Sequence, residues 1–231
     1  MLISPGIAGQ REKKMIEKTR WDGLIQRLTG TQPLGESFDR IFSAYSEPHR
    51  HYHNFVHIEH CLEEFDAVKQ LCESPDEVEF AIWLHDVSYD PHASDNEEMS
   101  ALYARELLVE LDCSESTACH VGDLILITRH DQPPLTQDAK IMVDIDISIL
   151  GQPAHLFAVY EKSIRAEYSW VPEEGYRTGR AKILRSFLDK KSIYYTDRFE
   201  MLYGSQARTN LIKALVALEH AAGANEQQRL N

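Results

Sequence analysis

Residues 140–150, KIMVDIDISIL, decide the fold. Ile141, Val143, Ile145, Ile147 and Ile149 alternate with other residues, which is the period of a strand. A buried strand here would open an α/β fold, in which strand and helix units alternate along the rest of the chain. The remaining sequence carries no further buried strands. Residues 137–150 are therefore read as a buried helix, against their local periodicity.

Helical spacing dominates on both sides of this stretch. Phe38, Ile41, Phe42 and Tyr45 repeat at i, i+3, i+4, i+7 behind Ser37 as N-cap. After Pro48 and the polar connection HRHYHN, a stripe runs from Phe55 through Ile58, Leu62, Phe65 and Val68 to Leu71. Asn54 is its N-cap, which puts His57 in the first turn. Ser74, Pro75 and Glu77 form a strong start signal with a capping box. The helix they open is apolar almost all round, so it must be central, and it ends in His85-Asp86. Later helices start near Asp95, near Thr117 (stopped by Pro133-Pro134) and near Pro153. Two more surround Ile183 to Leu188 and Phe199 to Leu218. The expected architecture is all-α: a single-domain helical bundle over residues 1–231, with its core at about 20–218 and frayed tails, GANEQQRLN among them.

Composition narrows the function. The chain is 43% apolar and 26% charged, a globular balance. A net charge of −13 argues against wrapping nucleic acid, which needs clustered cations. No apolar run approaches the roughly 18 residues of a membrane helix, and the start does not read as a signal peptide. Cys61, Cys72, Cys113 and Cys119 form no Cys-x-x-Cys pair and are expected to be reduced core thiols of a cytoplasmic protein.

The chemistry-bearing residues are histidines and aspartates set in apolar helices: His57, His85, Asp86, and Asp144 or Asp146. A carboxylate in a core helix is costly without a partner, so WLHD calls for a cation. Mixed nitrogen and oxygen donors on stiff elements suit a divalent metal. Glu97, in NEEMS on the first turn of the helix after His85-Asp86, is a candidate general acid or water-orienting base.

The order His57, His85-Asp86 and a distant aspartate in DIDISILG resembles the H…HD…D signature of the HD-domain superfamily of metal-dependent phosphohydrolases. The words RHYHNFVH, AIWLHDVSYD, NEEMSA, ITRHD, DIDISILG, IRAEY and ARTNL resemble more narrowly a subfamily of predicted HD phosphohydrolases, over about residues 20–218. The resemblance implies an HD-type bundle with a central metal held by His57, His85, Asp86 and Asp146, the last favoured because DISILG best matches the family's stretch. Asp86 would also be catalytic. Asp144, His53 and Asp90 become candidates for the layer behind the ligands. Two imidazoles and two carboxylates leave about two positions free on a six-coordinate ion, and in-line attack of hydroxide on phosphorus is the expected reaction. The donors suit Mn, Fe, Co, Ni or Zn better than Mg. His130, Arg165 and Arg180 are candidate phosphate contacts. A small phosphorylated substrate, plausibly a nucleotide, is the expected partner, with homodimerisation open.

The chain departs from two branches. Hydrolases of guanosine tetraphosphate carry HDxxED, where this chain has tyrosine at position 89, and the Gly-Tyr-Pro word of the cyclic-dinucleotide branch is absent. Three rivals stand beside the main reading. In the first, IMVDIDIS resembles the DxDx strand of haloacid-dehalogenase-type phosphatases, with Asp144 as nucleophile, Asp146 as acid/base and Mg as cofactor. In the second, the chain is a regulatory protein that binds metal without turnover. In the third, the scaffold holds a diiron oxygenase.

Overall fold

The computed structural model describes residues 5–31 and 35–229, with side chains from 14–31 and 35–219. Among the described residues there is no strand, and no single helix is long and apolar enough to cross a membrane.

The central element is α4 (Pro75–Leu84). Every residue from Val78 to His85 is buried, which is what an all-round apolar helix requires. Around it pack α1 (Pro5–Thr29), α3 (Phe55–Asp66), α5 (Asn96–Glu110), α6 (Glu115–Leu126) and α7 (Gln137–Asp146). Trp83 of α4 is the hub of an aromatic cluster, 5.6 Å from Trp21, 6.1 Å from Phe38 and 6.0 Å from Phe55 between ring centroids. Phe38 belongs to the short α2 (Ser37–Ala44). One continuous core takes in residues from Trp21 to Leu211.

The alternating stretch is helical. Residues Ile141 to Ile145 of α7 are all buried, so no face needs to be polar and the periodicity carries no face information. A tight 3-10 turn, Ile147–Gly151, continues α7. It ends where a side chain on Gly151 would come within 2.3 Å of the Tyr203 Cβ, so only glycine fits. This removes the dehalogenase-type reading, which places Asp144 at the end of a central strand.

Beyond this turn lie α8 (Ala154–Glu167), α9 (Glu173–Leu188), the single turn α10 (Asp197–Phe199) and α11 (Ser205–Arg229), with a π-helical turn at Glu200–Gly204 between the last two. The helix packed against α9 is α11, which leaves room between α8 and α9.

Several boundaries differ from expectation. The helix α1 begins at Pro5, ahead of the expected core at about residue 20, and buries Trp21, Leu24 and Ile25 within that core. The C-terminal tail continues α11 to Arg229, while residues 1–4, 230 and 231 lie outside the described residues. Ser37 is the first residue of α2 rather than its cap, and its hydroxyl accepts from the Trp21 indole at 2.9 Å. The Thr117 helix begins earlier, with Ser114 as cap. Ser74 makes no side-chain cap. The Asp138 carboxylate on α7 instead holds the approach to the helix, accepting the amides of Glu73 at 2.7 Å and Ser74 at 2.9 Å, and Glu77 pairs with His120 instead of closing a box. Of the cysteines, Cys61 is buried, Cys72 and Cys113 are half-buried and Cys119 is exposed, so the core-thiol expectation fails at Cys119.

Asp138 is buried and fixes the start of the central helix. Asp138→Ala should therefore lower stability by about 1–3 kcal/mol, because two amides lose their acceptor. Urea unfolding measures this, and an unchanged midpoint would show that the bonds are replaced by water.

Candidate metal centre

His85 is the residue that ends α4, and Asp86 follows it at the helix's carbonyl end. Asp146 is the last residue of α7. Two helix C-termini, each with partial negative charge, thus point into one space. His57 enters from the first turn of α3, whose N-cap is Asn54 as expected, with its side chain accepting the Val56 amide at 2.9 Å.

Four donor atoms meet there. His57 Nε2 lies 3.1 Å from His85 Nε2, 3.3 Å from Asp146 Oδ1 and 3.5 Å from Asp86 Oδ2. His85 Nε2 lies 3.2 Å from Asp86 Oδ2 and 3.6 Å from Asp146 Oδ1. Donors about 2.1 Å from one ion are separated by roughly 3.0 Å at octahedral edges and 3.4 Å at tetrahedral ones. The observed spacings therefore fit a shared divalent cation. The ring of His85 is set for this role, because its Nδ1–H donates to the Ile82 carbonyl at 2.9 Å and leaves Nε2 facing the cluster.

Cys61 borders the same space: its Sγ and nitrogens of His57 and His85 lie within 4.8 Å of one another, a group that could itself hold a transition metal. The sulfur is nearly equidistant from both His57 nitrogens, at 3.7 and 3.8 Å. Burial pushes its thiol well above the usual range. The oxygen donors of Asp86 and Asp146 are nearer to the imidazoles, so they make the tighter set.

Charge in the cluster is strongly coupled. Burial on its own would lower the basicity of His85, but Asp86 and Asp146 outweigh it and hold the imidazole well above its ordinary range. Burial would likewise raise both carboxyls. For Asp86 it is overcome chiefly by His85, and for Asp146 by hydrogen bonds from His130, His57 and His85, so both lie low. A proton on His85 thus partly answers the demand for positive charge, and a metal entering the site would displace it. The imidazoles are 1% exposed and the carboxylates 15% and 16%, so the mouth opens on the carboxylate side.

His130 stands at that mouth in a left-handed conformation (φ 58°), its Nε2 2.9 Å from Asp146 Oδ2. Glu97 is half-buried on the first turn of α5, and burial, together with the nearby Asp86 charge, raises its carboxyl. His53 packs 6.1 Å from His57 between ring centroids, and its Nδ1 meets Glu167 Oε2 at 2.7 Å.

Other nominated residues are engaged elsewhere. Asp144 is on the far side of α7, accepting the amides of Tyr195 and Thr196 and the Thr196 hydroxyl at 2.7 Å each, so it does not back the ligands. Asp90 is exposed and accepts the His92 amide within its own loop, which removes it from that layer as well. Arg165 ties the turn between α8 and α9 through the carbonyls of Tyr168 and Val171 and the Glu173 carboxylate. Arg180 is buried against Tyr160 and paired with Glu161.

Two residues with no expected role frame the site. The buried Glu167 carboxylate accepts the amides of His51, Tyr52 and His53 at 2.8, 2.6 and 2.9 Å, and the Tyr89 hydroxyl at 2.8 Å. Arg50 donates to the carbonyls of Asp86 at 2.6 Å, Val87 at 2.9 Å and His53 at 3.1 Å, covering the end of α4. Their presence within HRHYHN and IRAEY was the only signal in the sequence. Comparison with protein-family models, curated proteins and solved structures finds no match.

Burial raises the Glu167 carboxyl, but the His53 bond and charge and the backbone amides overcome this and hold it at about 2, against an ordinary 4.5. A depressed carboxyl stabilises the fold fully above its unfolded value and loses that contribution as the pH falls. Stability should therefore drop between about pH 4.5 and 2, and Glu167→Gln should flatten this limb of an acid titration. An unaltered limb would assign the acid sensitivity to other groups.

Proposed function

We propose that this chain is a metal-dependent phosphohydrolase with a single HD-type helical domain, acting in the cytoplasm on a small phosphoester. The observation that carries the reading is the convergence of His57, His85, Asp86 and Asp146 donor atoms at 3.1–3.6 Å in a buried pocket open on one side. A divalent ion held by them supplies Lewis-acid polarisation of a phosphoryl oxygen and an acidified water. Mixed nitrogen and oxygen donors favour Mn, Fe, Co, Ni or Zn over Mg.

The remaining roles belong to side chains at the mouth. His130 would orient Asp146 through the 2.9 Å contact and meet an incoming phosphate at the mouth. Glu97, its proton affinity lifted by burial, is suited to deliver a proton to the leaving oxygen. His53, charge-paired with Glu167, backs the site without contacting the donor atoms of the cluster.

Protein purified without chelators should contain about one divalent ion per chain and release phosphate from a panel of phosphoesters. His85→Ala should lose metal and activity together, by more than about a hundredfold, since even residues behind metal ligands are worth 10–100-fold. Stoichiometric metal with no turnover on any ester would make the chain a binding protein instead. Glu97→Gln should keep the metal and lose about 10²-fold in rate. An unchanged rate would remove Glu97 from the mechanism.

A further inference from the structure

Between α8 and α9 lies a half-open cavity of about 350 Å³, lined by none of the four cluster residues. The face of α9 that lines it runs on toward His130, which stands beside Asp146. Tyr176, Arg180, Ile183 and Phe187 recur at helical spacing there, and Phe187 lies 6.2 Å from the His130 ring. At its inner end the cavity reaches His53, which packs against His57.

The lining is aromatic and apolar: Tyr160, Tyr168 and Tyr176 with Ile164, Val171 and Ile183. Its two cationic side chains are already paired, Arg180 with Glu161 and His53 with Glu167. The Arg180 guanidinium is further occupied by the Tyr160 hydroxyl at 2.9 Å and lies over the Tyr160 ring at 5.1 Å. A second phosphate placed here would find no unpaired cation among the described lining residues, whereas a flat uncharged ring would find stacking surfaces. The volume lies at the small end of small-molecule clefts, enough for one ring system and its linker. Gly175 and Gly179 on α9 keep the wall open, and a Cβ on Gly179 would meet no atom within 4 Å.

We infer that this cavity is the leaving-group subsite, taking an uncharged aromatic or heteroaromatic ring borne by the alcohol of a phosphomonoester whose phosphate sits at the metal cluster. The inference rests on the phosphohydrolase reading for the phosphate, and on the cavity alone for the ring. Selectivity then runs toward ring-bearing monoesters and against polyphosphates and short aliphatic esters.

Gly179→Leu fills the cavity from a helix position with open space, and Ile183→Trp fills it from a half-exposed position on the same face. Chelator-treated protein, titrated by NMR with adenosine, uridine, benzyl alcohol and glycerol, reads the cavity without turnover. At least one ring compound should bind the wild type and weaken about tenfold or more in both variants, with glycerol binding negligible throughout. Metal content should be unchanged. With metal restored, KM for the matching ring-bearing monophosphate should rise by a similar factor, and kcat/KM for glycerol 3-phosphate should hold. Ring compounds that bind the wild type no better than glycerol, or that bind both variants equally well, overturn the subsite. Ring binding that is lost in the variants, with no phosphate released from either ester, overturns the phosphohydrolase reading and the leaving-group role with it, and leaves the cavity standing as a ring-binding site.

Discussion

The structure depends on compensating two carboxylates and two imidazoles brought to one point at the ends of buried helices. Asp86 and Asp146 each follow or end a helix whose carbonyl terminus already carries partial negative charge. Placing both beside each other without positive charge would be costly. The proton held on His85 meets part of that demand, and the donor spacing suits a cation for the rest. Binding of a divalent ion by these donors would therefore be linked to folding.

That demand was legible in the sequence because the last turns of α4, Phe80 to Leu84, are apolar on every side. A histidine and an aspartate closing such a run have no solvent face to occupy. The choice between Asp144 and Asp146 was less accessible. Two residues apart on a helix, they point about 200° away from each other, so only one can reach the cluster. The family resemblance favoured Asp146, and Asp146 is the one beside His57 and His85, while Asp144 holds the turn before α10. The strand-like alternation of residues 141–149 misled for a related reason, since in a helix buried on all faces any pattern of branched apolar residues is permitted.

What the sequence hid were contacts whose partner is the main chain. Nothing in the identity of Glu167 announces that it accepts three successive amides more than a hundred residues earlier, and nothing in Arg50 announces three carbonyls. Two expected caps failed likewise. Ser37 and Ser74 match the local preference, yet an indole from α1 claims one hydroxyl, and the other serine makes no side-chain cap while a carboxylate from α7 holds its amide. The helix α1 was different, because Trp21, Leu24, Ile25 and Leu28 carry an i, i+3, i+4, i+7 signal that would have found it.

Arg50 and Glu167 also explain how four donors from separate elements can be held at useful spacing. Metal ligation tolerates errors of a few tenths of an ångström, about 0.2 Å on each bond, and long side chains alone do not deliver that. Here the segment 50–54 is fixed from both sides. Its amides are bound by a carboxylate on α8, and its arginine binds the carbonyls that follow α4. The start of α3, which carries His57, and the turn that carries Asp86 are therefore parts of one hydrogen-bonded frame. A shift in either would have to break buried, charge-assisted bonds, so the frame resists it even before an ion arrives. The same Glu167 anchors His53 at the inner end of the α8–α9 cavity, so the frame that sets the ligand spacing also sets the distance from the cluster to the cavity beside it.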